Sequence, residues 1–107
     1  VTSISQNRFY RCTGLANVQF GANTKNIGNS AFYGCTGLQE IIIPDTVTTI
    51  GESAFSECTN ATKVVIPDSV TQLGKWAFYD DSSLTYVTIG SGLTKLDNYQ
   101  FYRCSSL

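Results

Sequence analysis

Five phenylalanines, Phe9, Phe32, Phe55, Phe78 and Phe101, stand 23 residues apart. Around them the chain reads RFYRCTGL from Arg8, AFYGCTGL from Ala31, AFSECTNA from Ala54, AFYDDSSL from Ala77 and QFYRCSSL from Gln100. Five residues before each Phe comes Ile4, Ile27, Ile50, Leu73 or Leu96. Six residues after it stand Leu15, Leu38, Ala61, Leu84 and Leu107; nine after it stand Val18, Ile41, Val64 and Val87. Phe20, Ile43, Ile66 and Ile89 complete a further apolar column. This period constrains the fold more than anything else in the chain. A unit of that size cannot bury its own apolar face, so successive copies must stack in parallel and share one core.

Each unit divides into recognisable parts. Asn17–Phe20, Glu40–Ile43, Lys63–Ile66 and Tyr86–Ile89 are short and mostly Val/Ile-rich, and read as strands. Gly21, Pro44, Pro67 and Gly90 end them, since proline has no amide donor for a continuing ladder. Gly51 and Gly74 then permit a tight turn. Ser53 to Phe55 and Trp76 to Phe78 are expected to form a single helical or 3₁₀ turn, and a second turn from Cys35 to Leu38 leads to the next strand.

The run IPDTVTTIGESAFSEC, from Ile43 to Cys58, resembles the BspA-type leucine-rich repeat, as does Ile66 to Phe78. The resemblance covers all 107 residues. It implies a leucine-rich-repeat solenoid of about five units, with a curved parallel β-sheet on one face and turns with short 3₁₀ or α elements on the other. Departures fall at Arg8 and Gln100 in the Ala column, Ser5 and Asp97 in the Gly column, and Asp81 in the Cys column. They mark degenerate or terminal units. The whole chain, 1–107, is expected to be one domain without evident caps, part of a longer array.

Composition removes several functions. Seven basic and eight acidic residues give a net charge of −1, which offers no electrostatic footprint for nucleic acid or an anionic membrane. Apolar runs such as Ile41 to Ile43 fall far short of the ~18 residues of a membrane span. With no histidine in the chain, His-based acid–base catalysis and most zinc sites are unavailable. Cys12, Cys35, Cys58 and Cys104 each lie three residues after a column Phe. That regularity favours a single file of buried free thiols over disulfides, and single file cannot supply tetrahedral metal geometry. Asp81 interrupts this file, placed to accept backbone amide bonds in its turn. Asp45 and Asp68 follow Pro44 and Pro67, which is ordinary turn chemistry and too few oxygens for calcium. No phosphate-cradling glycine cluster is present. No catalytic residue, cofactor or metal ligand is assigned, and an enzyme is not expected.

Two surfaces remain. Alternation along the strands points Asn17, Glu40, Lys63 and Tyr86 outward as one row, and Gln19, Ile42, Val65 and Thr88 as the next. Glu40 and Lys63 are expected to form an exposed cross-strand ion pair, and Ile42 with Val65 a small apolar patch. On the other side Tyr10, Tyr33, Tyr79 and Tyr102 follow the column Phe, interrupted only by Ser56, while Trp76 and Tyr99 stand where earlier units have serine. Each Tyr is expected to lie half-buried with a wet hydroxyl, or to form a contact surface. Asn60 lies in the only N-glycosylation sequon, Asn60-Ala61-Thr62.

By resemblance, the chain is expected to be a non-enzymatic extracellular or cell-surface adhesion module that binds a protein or glycan partner. Low charge and abundant Ser, Thr, Gly and Asn fit that location. The competing expectation is a structural building block that assembles end to end or side by side into an oligomer or filament, its open solenoid ends pairing with other chains. Neither reading involves nucleic acid or membrane insertion.

Overall fold

The computed structural model describes residues 3–18, 20, 21, 23–93 and 99–107. Gln19, Leu96 and Asp97 lie outside them. The chain forms a succession of short strands and turns, each unit laid on the one before. Seven strands are present: β1 Ser3–Ile4, β2 Asn26–Ile27, β3 Glu40–Ile42, β4 Thr49–Ile50, β5 Lys63–Ile66, β6 Gln72–Leu73 and β7 Tyr86–Ile89. They make two parallel sheets, β3-β5-β7 and β1-β2-β4-β6. In the first, Glu40 pairs with Lys63 and Lys63 with Tyr86; in the second, Ile4, Ile27, Ile50 and Leu73 are in register. The stacked repeat read from the sequence is therefore the architecture.

The core is the column set. Phe32, Phe55 and Phe78 are fully buried, with Ile27, Leu38, Ile41, Val47, Ile50, Val64, Val70 and Leu84 around them. Consecutive column rings stack at centroid distances of 5.1, 5.0, 5.5 and 5.3 Å, nearly parallel in every case. The spacing follows from the rungs themselves, since parallel strands lie about 4.8 Å apart.

Three expectations change. The sheet β1-β2-β4-β6 was not anticipated, because a two-residue strand carries too little alternation to be seen. Ser53 to Phe55 and Trp76 to Phe78 are not helical, and no helix occurs among the described residues. Instead Asn7, Ser30, Ser53 and Trp76, two residues before the Phe, have φ between 56° and 60°, as do Glu57 and Asp80, two residues after. Each left-handed residue breaks a helical run and turns alternate amides along the stack. Thus Ser30 N–H donates to Glu52 O, Phe32 N–H to Ala54 O and Gly34 N–H to Ser56 O, at 2.8–2.9 Å. This segment is a third ladder between rungs. Lastly, Asn17 and Val18 lie outside any strand and the sheet begins at β3. Asparagine is a poor strand former, and Phe20 packs its ring edge-on against Phe32 at 5.8 Å.

Gly51 and Gly74 serve close approach rather than turn freedom. A Cβ on Gly51 would stand 2.6 Å from Asn29 N of the preceding rung, and Gly74 is tighter still. Gln100, at an Ala position, stays buried by donating its Nε2 to Leu73 O at 2.8 Å.

Candidate functional site

Outward positions of β3, β5 and β7 form the first surface. Glu40, Tyr86 and Thr88 are exposed and Lys63 and Val65 half-buried, while Ile42 is 47% exposed. Register places Ile42, Val65 and Thr88 side by side. The Glu40–Lys63 ion pair does not form: among the described residues the only ion pair is Arg103–Asp80, at 4.0 Å. Lys63 instead directs its ammonium over the Tyr86 ring, 5.7 Å from the centroid. An ammonium on an exposed aromatic face gains about as much as an exposed ion pair and keeps its hydration. Asn17 is exposed but lies outside the ladder, so it does not extend this row.

The aromatic side is more ordered than a row of half-buried tyrosines. Tyr10 stacks on Tyr33 at 5.1 Å, and Tyr79 on Tyr102 at 5.7 Å. Tyr33 does not leave its hydroxyl in water: it donates to Glu57 Oε2 at 2.5 Å. That bond to Glu57, with burial adding to it, pushes the phenol up to about 12. Trp76 meets Tyr99 edge to face at 6.0 Å, with the Lys75 ammonium 5.0 and 4.6 Å from the two ring centroids. Beside these rings opens a cleft of about 430 Å³, lined by Tyr33, Ser53, Ser56, Trp76, Tyr79, Tyr99 and Tyr102. Glu57 and Lys75 were missed as members of this surface. A lysine before Trp76 and a carboxylate beside Ser56 were visible, but only the rung-to-rung offset shows what they meet.

The thiols form one file. Cys35 and Cys58 are fully buried, whereas Cys12 and Cys104 are partly so. Cys35 donates to Phe9 O at 3.1 Å, Cys58 to Phe32 O at 3.3 Å and Cys104 to Phe78 O at 3.1 Å. Burial raises the thiol pKa of Cys35 and Cys58, and that of Cys104 to about 11, so little thiolate exists at neutral pH. A maleimide should therefore label Cys35 and Cys58 slowly in the native protein and quickly once it is unfolded. Intact mass spectrometry checks this, and native disulfides between them would overturn it. Among the described residues no cluster of His, Cys, Asp or Glu could hold a metal.

Asp81 takes the thiol position in the fourth unit. Its Oδ1 accepts Cys58 N–H at 2.9 Å, an amide of the preceding rung rather than of its own turn. Its Oδ2 is buried without a hydrogen-bond partner. Burial pushes this carboxyl well above the usual carboxylate range, against the lowering effect of the Cys58 amide. Asn60 is exposed, but its amide donates to Thr36 O at 2.7 Å, a bond that an attached glycan would disturb.

Two parallel sheets, a stacked aromatic column and a repeated surface define a repeat solenoid. A family model for the BspA type leucine rich repeat region matches residues 1–107 in 6 copies, and the chain belongs to that family. Three solved structures share the fold. A leucine-rich repeat protein of T. pallidum matches at 28% identity and a TM-score of 0.75, over 100% of this chain and 61% of that one. One from Bacteroides ovatus matches at 29% identity and 0.69, over 100% and 34%. A leucine rich cell surface protein from Faecalibacterium prausnitzii matches at 24% identity and 0.65, over 100% and 38%, a likeness of fold alone. The chain thus spans less than two thirds of each. No significant match was found among curated proteins.

Proposed function

We propose that the chain is a non-enzymatic interaction module of an extracellular or cell-surface protein, and that it binds a macromolecular partner through the β3-β5-β7 face. Its family membership supports the general class. Low charge and abundant Ser, Thr, Gly and Asn support the location. The observation that carries the choice of face is the in-register patch of Ile42 and Val65, flanked by Glu40, Lys63, Tyr86 and Thr88. An apolar centre with a polar rim is the anatomy of a protein interface, in which central anchors supply most of the energy. Extended solenoid faces suit such binding because equivalent side chains recur on every rung.

Val65→Lys is the test. It should lower capture on a panel of immobilised matrix and host-cell-surface proteins at least ~10-fold, because a charge then sits where the anchor packs. The melting temperature should hardly move, since Val65 points outward. Gln72→Lys, on the exposed side of the other sheet, should leave capture intact. Equal loss from both variants, or none from Val65→Lys, would remove the β3-β5-β7 face from the reading. Concentration-dependent self-association in light scattering, without capture, would favour the building-block alternative.

A further inference from the structure

Three departures from the repeat meet where the third rung, which carries Phe55, joins the fourth, which carries Phe78. Tyr10 stacks on Tyr33 and Tyr79 on Tyr102, but the third rung presents Ser56, so no pair of tyrosine rings spans this join. Of the four steps in the phenylalanine column, Phe55 to Phe78 is the widest, at 5.5 Å. In the fourth rung Asp81 interrupts the thiol file, and its Oδ2 is buried without a hydrogen-bond partner.

A carboxyl in that file differs from a thiol in one respect. Cys35, Cys58 and Cys104 each donate to the carbonyl of the column Phe one rung before, and need no charge to do so. Asp81 stays neutral only while it holds a proton. Its surroundings do not favour the anion. Asp80 beside it and Glu57 on the third rung are carboxylates, and both repel it. Cys58 offers its amide but turns its thiol to Phe32 O, and Cys104 turns its thiol to Phe78 O. Arg103 meets Asp80, at 4.0 Å, with most of its side chain exposed.

Ionisation therefore leaves charge on an oxygen that no donor reaches, and admitting water relieves it. The turn segments that shut water out are tied by Ser53 N–H to Lys75 O, Phe55 N–H to Ala77 O and Glu57 N–H to Tyr79 O. Ser56 adds its hydroxyl to Trp76 O. On the other side of the core, β5 and β7 pair over four residues and can hold the rungs together while the turns part. Local opening of this kind takes less free energy than unfolding the stack.

We propose that the join between the third and fourth rungs is a proton-operated joint: it is closed while Asp81 is protonated, and parts locally on ionisation, hinged on β5 and β7, to expose Cys58. Burial raises the carboxyl pKa in the closed state, so the joint tightens in acid and loosens as pH rises through that value. The joint goes beyond the reading of the chain as an interaction module and does not depend on which face binds.

Maleimide labelling, located by peptide mass spectrometry, reads the joint. Each native rate is divided by that of the same cysteine in the urea-unfolded chain, which cancels the thiolate dependence and leaves the population of the open form. Cys35 is the internal control, a fully buried thiol covered by the third rung rather than the fourth. From about pH 5 to about pH 8 the Cys58 ratio should rise about tenfold or more, the order an unpaired buried charge adds to an opening equilibrium. The Cys35 ratio should hardly change. Asp81→Asn should keep the Cys58 ratio low and flat over the same range, and so should Asp81→Cys. The proposal is overturned if the wild-type Cys58 ratio is flat, or if its rise survives Asp81→Asn. A Cys35 ratio that climbs in step with that of Cys58 also overturns it, since the whole stack would then be opening.

Discussion

Phe55→Ala is expected to cost ~3–5 kcal/mol, enough to bring melting near or below room temperature. Phe55 is the middle ring of five, stacked on Phe32 at 5.0 Å and on Phe78 at 5.5 Å, and buried on both sides. Truncation removes the ring's transfer energy and leaves a cavity that the rungs cannot collapse into, because backbone ladders hold their separation. A domain of this size has only ~5–15 kcal/mol in total. The stack is also the path by which one rung supports the next, so the loss falls on both halves together. Thermal unfolding by circular dichroism measures it. An unchanged transition would show that the ring column is not the core.

The second large effect belongs to Asp81. Its carboxyl is fully buried, with one oxygen bonded to the Cys58 amide and the other without a partner. Burial raises its pKa in the folded state. A raised carboxyl pKa means that folding favours the protonated form. The stabilising contribution is therefore complete below the unfolded value, about pH 4, and is lost as pH rises through the folded-state value. Asp81→Asn keeps an acceptor for the Cys58 amide and removes the charge. It should raise the melting temperature by about 5 °C or more at pH 7, where an unpaired buried carboxylate is most costly. The gain over wild type should shrink steadily toward pH 4. A difference that stays constant across this range would show that Asp81 does not titrate with folding. Asp81→Cys, which restores the thiol of the other units, should behave similarly.

The period, the Phe and Cys columns and three of the four long strands were legible because each is repeated, and a repeated apolar position has only one physical meaning in a stack. The αL positions were not. Glycine normally announces them, yet only Gly34 does so here; Trp76, Arg11 and Arg103 take the same backbone without any local preference for it. The two-residue strands of the β1-β2-β4-β6 sheet were hidden for a related reason, since their pairing is set by the rungs above and below. On the candidate surfaces, the outward rows could be read from alternation, but Lys63 chose the Tyr86 face over Glu40. That choice depends on side-chain reach across neighbouring rungs, which no single unit displays. Ser56 was visible as a break in the tyrosine row. Its burial was not, because the neighbouring rung covers it and accepts its hydroxyl at Trp76 O.

All three ladders carry their hydrogen bonds along the stack, and among the described residues each bond joins a rung to an immediate neighbour. Such a molecule is mechanically a zip. Tension between its ends loads one rung at a time, so it opens at the force one rung can bear, however many follow. Each rung released adds about 70 Å of extended chain and leaves the remaining rungs fully seated. Load applied across the stack is instead shared by every rung at once. At a surface under flow, the same fold would thus yield length when pulled end to end and stay rigid when pulled by its side.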